Sequence, residues 1–133
     1  MSIVGVGIDM VSVPEFSEQL STPGSTFIGH FSVGERRDVA DRSGDGARNL
    51  AARWAAREAV IKAWSSSRFG LAPLLPDTAV NQVEIQSDSF GRPRVRLHGD
   101  LANAIGHLKI HVSLTHDGDM AGAVAILEEP ADG

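Results

Sequence analysis

The sequence predicts an α+β fold, a mainly antiparallel sheet packed on a long central helix. Residues 3–13 alternate apolar and small side chains, as a β-strand does, and residues 48–66 form an alanine-rich segment without glycine or proline, typical of a helix. Strands are also predicted over residues 80–87, 94–98, 109–115 and 120–127. At 133 residues the expectation is one domain spanning residues 1–133.

Composition excludes several classes of protein. Without cysteine there is no disulfide, thiol nucleophile, cysteine-ligated zinc site or iron–sulfur cluster. Seventeen acidic against twelve basic residues give a net charge of −5, which argues against a nucleic-acid partner. No apolar run approaches the ~18 residues of a membrane span, and the amino terminus lacks the pattern of a secretory signal. We therefore expect a cytoplasmic protein without a membrane partner.

The remaining elements follow from local signals. A short helix is predicted over residues 14–20, and the capping-box spacing of Ser32 and Glu35 predicts that another helix begins there. The helix over 48–66 is apolar nearly all round, which favours a central position. The other expected segments are a polar loop (41–46), a proline-bearing connection (70–77), a turn (88–93), a short helix (101–107), a hairpin turn (116–119) and a loose tail (128–133).

Asp9 is the first residue with potential chemistry. It lies on the glycine side of the first strand, with Gly5 and Gly7, although aspartate is disfavoured in strands. It is either a turn or cap residue before Pro14, or a metal ligand or general base. The segment from Gly5 is not a dinucleotide-binding fingerprint, because Met10 stands where the third glycine is required.

Glu58 and Lys62 form a second feature, four residues apart on one otherwise apolar helix face. They are either a surface ion pair worth ~0.2–0.5 kcal/mol or a carboxylate and an ammonium that bind a divalent cation and a phosphate together. The arginines Arg48, Arg53 and Arg57 lie on other faces. They either bind phosphate or are solvated, and for Arg57 we expect solvation.

Thr115 and His116 end a predicted strand, where an imidazole either holds a phosphate, moves a proton or is structural. Arg92 and Pro93 belong to a turn whose arginine could bind phosphate. His107 and His111 have the spacing of helical metal ligands, but a change from helix to strand between them argues against a shared metal.

Together these segments resemble the bacterial holo-(acyl-carrier-protein) synthases, the small stand-alone 4′-phosphopantetheinyl transferases. Five segments carry the resemblance in order: Ile3-Val-Gly-Val-Gly-Ile-Asp9-Met-Val, Phe31-Ser-x-x-Glu35, Arg53-Trp-Ala-Ala-Arg-Glu58-Ala-Val-Ile-Lys62-Ala, Phe90-Gly-Arg-Pro93, and Val112-Ser-Leu-Thr-His116 followed by residues 121–126. The resemblance implies the 4′-phosphopantetheinyl transferase fold. It also implies a homotrimer with active sites between subunits.

The implied reaction transfers phosphopantetheine from coenzyme A to a serine of apo acyl carrier protein, which is free or a domain of a fatty acid synthase, and releases adenosine 3′,5′-bisphosphate. The implied cofactor is Mg²⁺, held by Asp9 and Glu58. Lys62 and His116 would neutralise phosphate charge, and Glu58 or a metal-bound water would accept the serine proton. The implied nucleotide-binding set is Arg53, Lys62, Arg92, Pro93, Thr115 and His116.

Two departures from the family pattern stand out. Arg57 replaces the lysine that usually precedes the helix glutamate, and the first helix carries Glu15 and Glu18 where the family has arginines that dock the acidic carrier. Like charges weaken such docking, so we expect either an altered carrier surface or docking through arginines such as Arg36 and Arg37.

Two other functions use the same groups. A non-catalytic module would bind coenzyme A or a nucleotide without needing the metal pair. A Mg²⁺-dependent hydrolase of pyrophosphate esters would use water as acceptor and would release product without a carrier protein.

Overall fold

The computed structural model describes residues 2–22, 27–40 and 46–131. Its strands are β1 (Ser2–Ser12), β2 (Val83–Ser87), β3 (Pro93–Leu97), β4 (Lys109–Asp117) and β5 (Met120–Glu129). Its α-helices are α1 (Val13–Ser21), α2 (Val33–Ala40), α3 (Gly46–Ser66) and α4 (Gly99–Ile105). The α+β class is confirmed.

Two antiparallel sheets make up the β structure. The larger has the strand order β1-β5-β4, and β2 and β3 form a separate two-stranded sheet, which we call the ribbon. In the described residues no backbone ladder joins the ribbon to the larger sheet. Side chains and α3 must therefore set the position of the ribbon.

Helix α3 lies directly against β1 because two glycines remove side chains from that side of the strand. A Cβ atom at Gly7 would lie 2.1 Å from the carbonyl oxygen of Ala59, and one at Gly5 would lie 2.0 Å from that of Ala63. The opposite side of β1 is apolar and exposed, and Ile8 there is 66% exposed. In this chain it is thus the small residues of the strand that face the helix.

The apolar core lies between α3 and the sheets. One cluster joins alanines of α3 to β2, α4 and β5, with Val60, Ile85 and Leu101 fully buried. A second cluster packs Phe16 of α1 and Phe31 against the amino-terminal half of α3. Among the described residues, no helix combines the length and the apolar character needed to cross a membrane.

The capping box is confirmed: the Ser32 N–H donates to Glu35 Oε1 and the Glu35 N–H donates to Ser32 Oγ, each at 2.9 Å. The predicted strand start at residue 80 is wrong, because Asp77–Gln82 forms a 3₁₀ helix. The predicted loose tail is also wrong at its start, since Glu128 is buried in β5 and contacts His111. The predicted loop over 41–46 lies outside the described residues, apart from Gly46.

We expect Gly7→Ala to lower the free energy of unfolding by about 1–3 kcal/mol, because the new methyl group would meet backbone atoms that cannot move aside. Urea denaturation followed by circular dichroism measures the change. Gly29→Ala is the matched control, since a Cβ at Gly29 meets nothing within 4 Å; it should change the free energy by less than about 0.5 kcal/mol. Equal effects of the two variants would contradict the close approach.

Candidate active site

Asp9 lies inside β1, where it pairs with Ala123, so the interpretation as a turn or cap residue is wrong. Ser12 is the N-cap of α1 instead. The Asp9 carboxylate meets Lys62 of α3, whose Nζ donates to Asp9 Oδ1 at 2.8 Å and to the Ile8 carbonyl at 3.2 Å. The ammonium that the sequence analysis paired with Glu58 therefore bonds across to the strand.

Glu58 lies one turn before Lys62, half-buried in the same cleft as Asp9. Burial raises the pKa of Glu58 above its ordinary value of 4.5, and the negative charges of Asp9 and Asp77 raise it further, while Lys62 opposes the shift. The carboxylates of Asp9 and Glu58 thus repel each other across the cleft. A cation placed between them would relieve this repulsion.

The cleft has a volume of about 640 Å³. Besides Asp9 and Glu58 it is lined by Trp54 and, along α1, by Glu15 and Glu18. The acidic residues of the first helix therefore share a cleft with the predicted metal ligands. Sequence spacing alone did not show this, because α1 and α3 are far apart in the chain.

Asp9 and Glu58 fit the chemistry of a Mg²⁺ site. Magnesium is a hard cation that binds one or two carboxylates and keeps waters and substrate phosphates as its other ligands. Among the described residues no group of three or more histidine, aspartate or glutamate side chains could hold a metal by itself. A metal bound here would therefore retain open positions for substrate oxygens.

A second cavity, of about 210 Å³, collects most of the predicted nucleotide-binding residues. It is lined by Asn49, Ala52, Arg53, Ser87, Gly91, Pro93, Leu114, Thr115 and His116. Its walls come from α3, the ribbon and β4. Asn49 and Ser87 were not singled out from the sequence, where neither belongs to a recognisable motif.

Arg53 is buried at this second cavity, which excludes a merely solvated role. Its Nη1 donates to the Ile85 carbonyl at 2.7 Å and its Nη2 donates to Ser87 Oγ at 2.9 Å. Arg92 lies elsewhere: its Nε donates to Asp88 Oδ2 at 2.8 Å, in a neighbouring groove. The structure thus groups Arg53 with His116 but does not bring Arg92 to them.

The expectation that Arg57 is solvated is wrong, because this arginine is only 1% exposed. Its Nη2 donates to Glu35 Oε1, its Nη1 donates to the His30 carbonyl, and its guanidinium lies 4.8 Å from the centre of the Phe31 ring. The capping-box motif pointed to Glu35, but nothing in its spacing indicated a buried partner on α3.

The fold and site define a class of protein. Residues 5–125 match the sequence model of the 4′-phosphopantetheinyl transferase superfamily. The chain belongs to this superfamily.

Particular relatives are holo-(acyl-carrier-protein) synthases. One from Mycobacterium sp. (strain KMS) is 58% identical over 130 residues, 98% of this chain and 100% of the relative. The structure of a Mycobacterium tuberculosis acyl carrier protein synthase is similar with a TM-score of 0.81 at 53% identity, covering 97% of this chain and 100% of the other. An ACPS–CoA complex from Chronobacterium ammoniagenes is similar with a TM-score of 0.88 at 40% identity, covering 98% and 100%.

The raised pKa of Glu58 predicts a pH-dependent effect of Glu58→Gln on stability. Below the ordinary value of 4.5 the carboxyl is protonated in the folded and unfolded states alike, so its ionisation does not lower the free energy of unfolding. Above pH 4.5 the unfolded chain loses the Glu58 proton more readily than the folded protein does. The free energy of unfolding therefore falls until the pH has passed the folded-state pKa, and it stays lower at neutral pH.

We therefore expect the melting temperature of Glu58→Gln, relative to the parent protein, to rise between pH 4 and pH 8. Calorimetry in the presence of EDTA measures this difference. Glu129→Gln, a change at an exposed glutamate, is the control and should show no such trend. A difference that falls with increasing pH would contradict the shift.

Proposed function

We propose that this chain transfers 4′-phosphopantetheine from coenzyme A to a serine of apo acyl carrier protein and releases adenosine 3′,5′-bisphosphate. The observation that carries the proposal is that Asp9 and Glu58 line one cleft while Lys62 bonds to Asp9. A pyrophosphate donor requires charge neutralisation of this kind. The relatives named as holo-(acyl-carrier-protein) synthases and the similar ACPS–CoA complex support the choice of donor and acceptor.

Asp9 and Glu58 would hold Mg²⁺, which, when bound, neutralises charge on the pyrophosphate oxygens. Lys62 adds a positive charge beside Asp9. Its Nζ is part of a side chain that is 55% exposed, so the ammonium can leave Asp9 for a phosphate oxygen when a cation takes its place.

The serine hydroxyl oxygen attacks the β-phosphorus, and the bond from that phosphorus to the bridging oxygen of the leaving bisphosphate breaks. The serine proton would pass to Glu58 or to a water held in the same cleft. Arg53 and His116, with Pro93 and Thr115, would hold the nucleotide half of coenzyme A in the second cavity.

We further propose a homotrimer in which the two cavities meet between subunits. The exposed apolar side of β1 supports self-association, because Val6, Ile8 and Met10 are each more than half exposed in the single chain. The number of three subunits rests on the family resemblance. An apolar groove of about 310 Å³ runs from Ile8 and Met10 to His116. Asp9 and His116 both line this groove, so a second copy that covers it would lie against both cavities.

The partner is an acyl carrier protein, free or as a domain of a fatty acid synthase, so the chain would serve fatty acid biosynthesis. One phosphopantetheinyl transferase domain spans residues 1–133 in this proposal. The cytoplasmic location stays a prediction from the sequence.

Incubation with coenzyme A, Mg²⁺ and apo acyl carrier protein should add one phosphopantetheine mass to the carrier, as measured by mass spectrometry. EDTA should abolish the reaction. Asp9→Asn keeps the size of the side chain but removes the charge, and should slow the reaction at least about 100-fold. Asp100→Asn, in α4, is the matched control and should react like the parent protein.

Other outcomes separate the alternatives. Release of adenosine 3′,5′-bisphosphate without carrier would favour the Mg²⁺-dependent hydrolase. If the chain binds coenzyme A but transfers nothing to any of several carrier proteins, the result would favour the non-catalytic module.

The trimer predicts that Ile8→Glu gives a monomer, because a carboxylate on the covered sheet face would be desolvated. Light scattering coupled to gel filtration should show three times 14.1 kDa for the parent protein and one chain mass for the variant. Leu74→Glu is the control: Leu74 is 62% exposed but lies outside the sheet. A monomeric parent protein would overturn the assembly.

A further inference from the structure

A buried polar cluster connects three parts of the chain beside the second cavity. Glu35 is 1% exposed and accepts three hydrogen bonds: Oε1 from the Ser32 N–H and from Arg57 Nη2, and Oε2 from the Ile85 N–H at 3.0 Å. Arg57 also donates to the His30 carbonyl. The cluster therefore ties the start of α2 to both α3 and β2.

Both backbone polar groups of Ile85 are involved. The neighbours of Ile85 in β2 bond to β3, so the Ile85 N–H and carbonyl point away from β3, the N–H toward α2 and the carbonyl toward α3. The N–H donates to Glu35 and the carbonyl accepts from Arg53. One peptide segment of β2 is thus held by two side chains.

We propose that Glu35 and Arg57 are positioning residues for the nucleotide end of coenzyme A. The second cavity has one wall on the ribbon, with Ser87 and Pro93, and the others on α3 and β4. No backbone ladder joins the ribbon to the larger sheet in the described residues, so side chains hold the ribbon on α3. Ile85 packs in the apolar core, and the hydrogen bonds from Glu35 and Arg53 to its backbone fix the position of β2 beside the cavity. Neither Glu35 nor Arg57 lines the cavity itself.

The geometry of the pair requires arginine. Arg57 reaches Glu35 and the His30 carbonyl with two different nitrogens while its guanidinium carbon lies over Phe31, 4.8 Å from the ring centre. A lysine ammonium is a single point charge and cannot reproduce the two directed bonds and the contact with the Phe31 ring together. Arg57→Lys should therefore loosen the ribbon although the charge is kept.

This inference rests on the proposed function, and its test measures donor binding apart from transfer. Calorimetric titration with adenosine 3′,5′-bisphosphate gives the dissociation constant without any carrier protein. For Arg57→Lys and Glu35→Gln we expect the constant to rise about 10-fold or more, since small displacements of a binding wall have large effects. The KM for coenzyme A should rise similarly, with kcat within about twofold of the parent value.

The controls repeat each substitution elsewhere. Arg96→Lys changes an exposed arginine of the same ribbon, and Glu129→Gln changes an exposed glutamate. Both should bind the bisphosphate like the parent protein. Glu35→Gln keeps an oxygen for the capping box, so it tests the pair even where Arg57→Lys lowers stability.

The outcomes are distinguishable. Folded variants, verified by circular dichroism, that bind the bisphosphate as tightly as the parent protein would overturn the positioning role and leave the proposed function intact. A parent protein that binds neither the bisphosphate nor coenzyme A would overturn the proposed function, and the positioning role with it. Unfolding of both variants would show that the pair maintains the fold as a whole and would also overturn the assignment.

Discussion

The close approach of β1 to α3 is the constraint on which the arrangement of the site depends. Gly5 and Gly7 let the strand lie on the carbonyl groups of the helix, with no room for a Cβ atom. At that distance Lys62 can reach Asp9, and Glu58 faces the same cleft. The apolar side of the strand is directed outward as a consequence. The close contact of β1 with α3 therefore produces both the acidic cleft and the exposed sheet face.

A second level of organisation depends on buried charge. Removing one partner of such a pair costs about 3–5 kcal/mol, because the other charge remains in a poorly solvated place. The hydrogen bonds of Arg57 and Glu35 compensate for the burial of their charges. Glu58, in contrast, is half-buried beside another carboxylate. Repulsion of that kind is tolerated at sites that bind cations, since the ligand relieves it.

Much of the molecule was predictable from short-range patterns. Alternation predicted β1, alanine content predicted α3, and the Ser32 and Glu35 spacing predicted a capping box that the structure contains. The errors concern partners. Arg57 was expected in solvent because helical spacing gives the face of a residue but not what packs on that face, and Glu128 was assigned to a tail because its strand partners lie far away in the chain.

The sequence by itself determined the order of elements, the acidic and cysteine-free composition and the motifs that resemble one transferase family, since all of these are local or compositional properties. Only the tertiary structure decided that Asp9 pairs with Lys62, that Glu15 shares a cleft with Glu58, and that Arg57 is buried. The physical reason is that these contacts join residues remote in sequence, and their geometry follows from how closely strand, helix and ribbon pack.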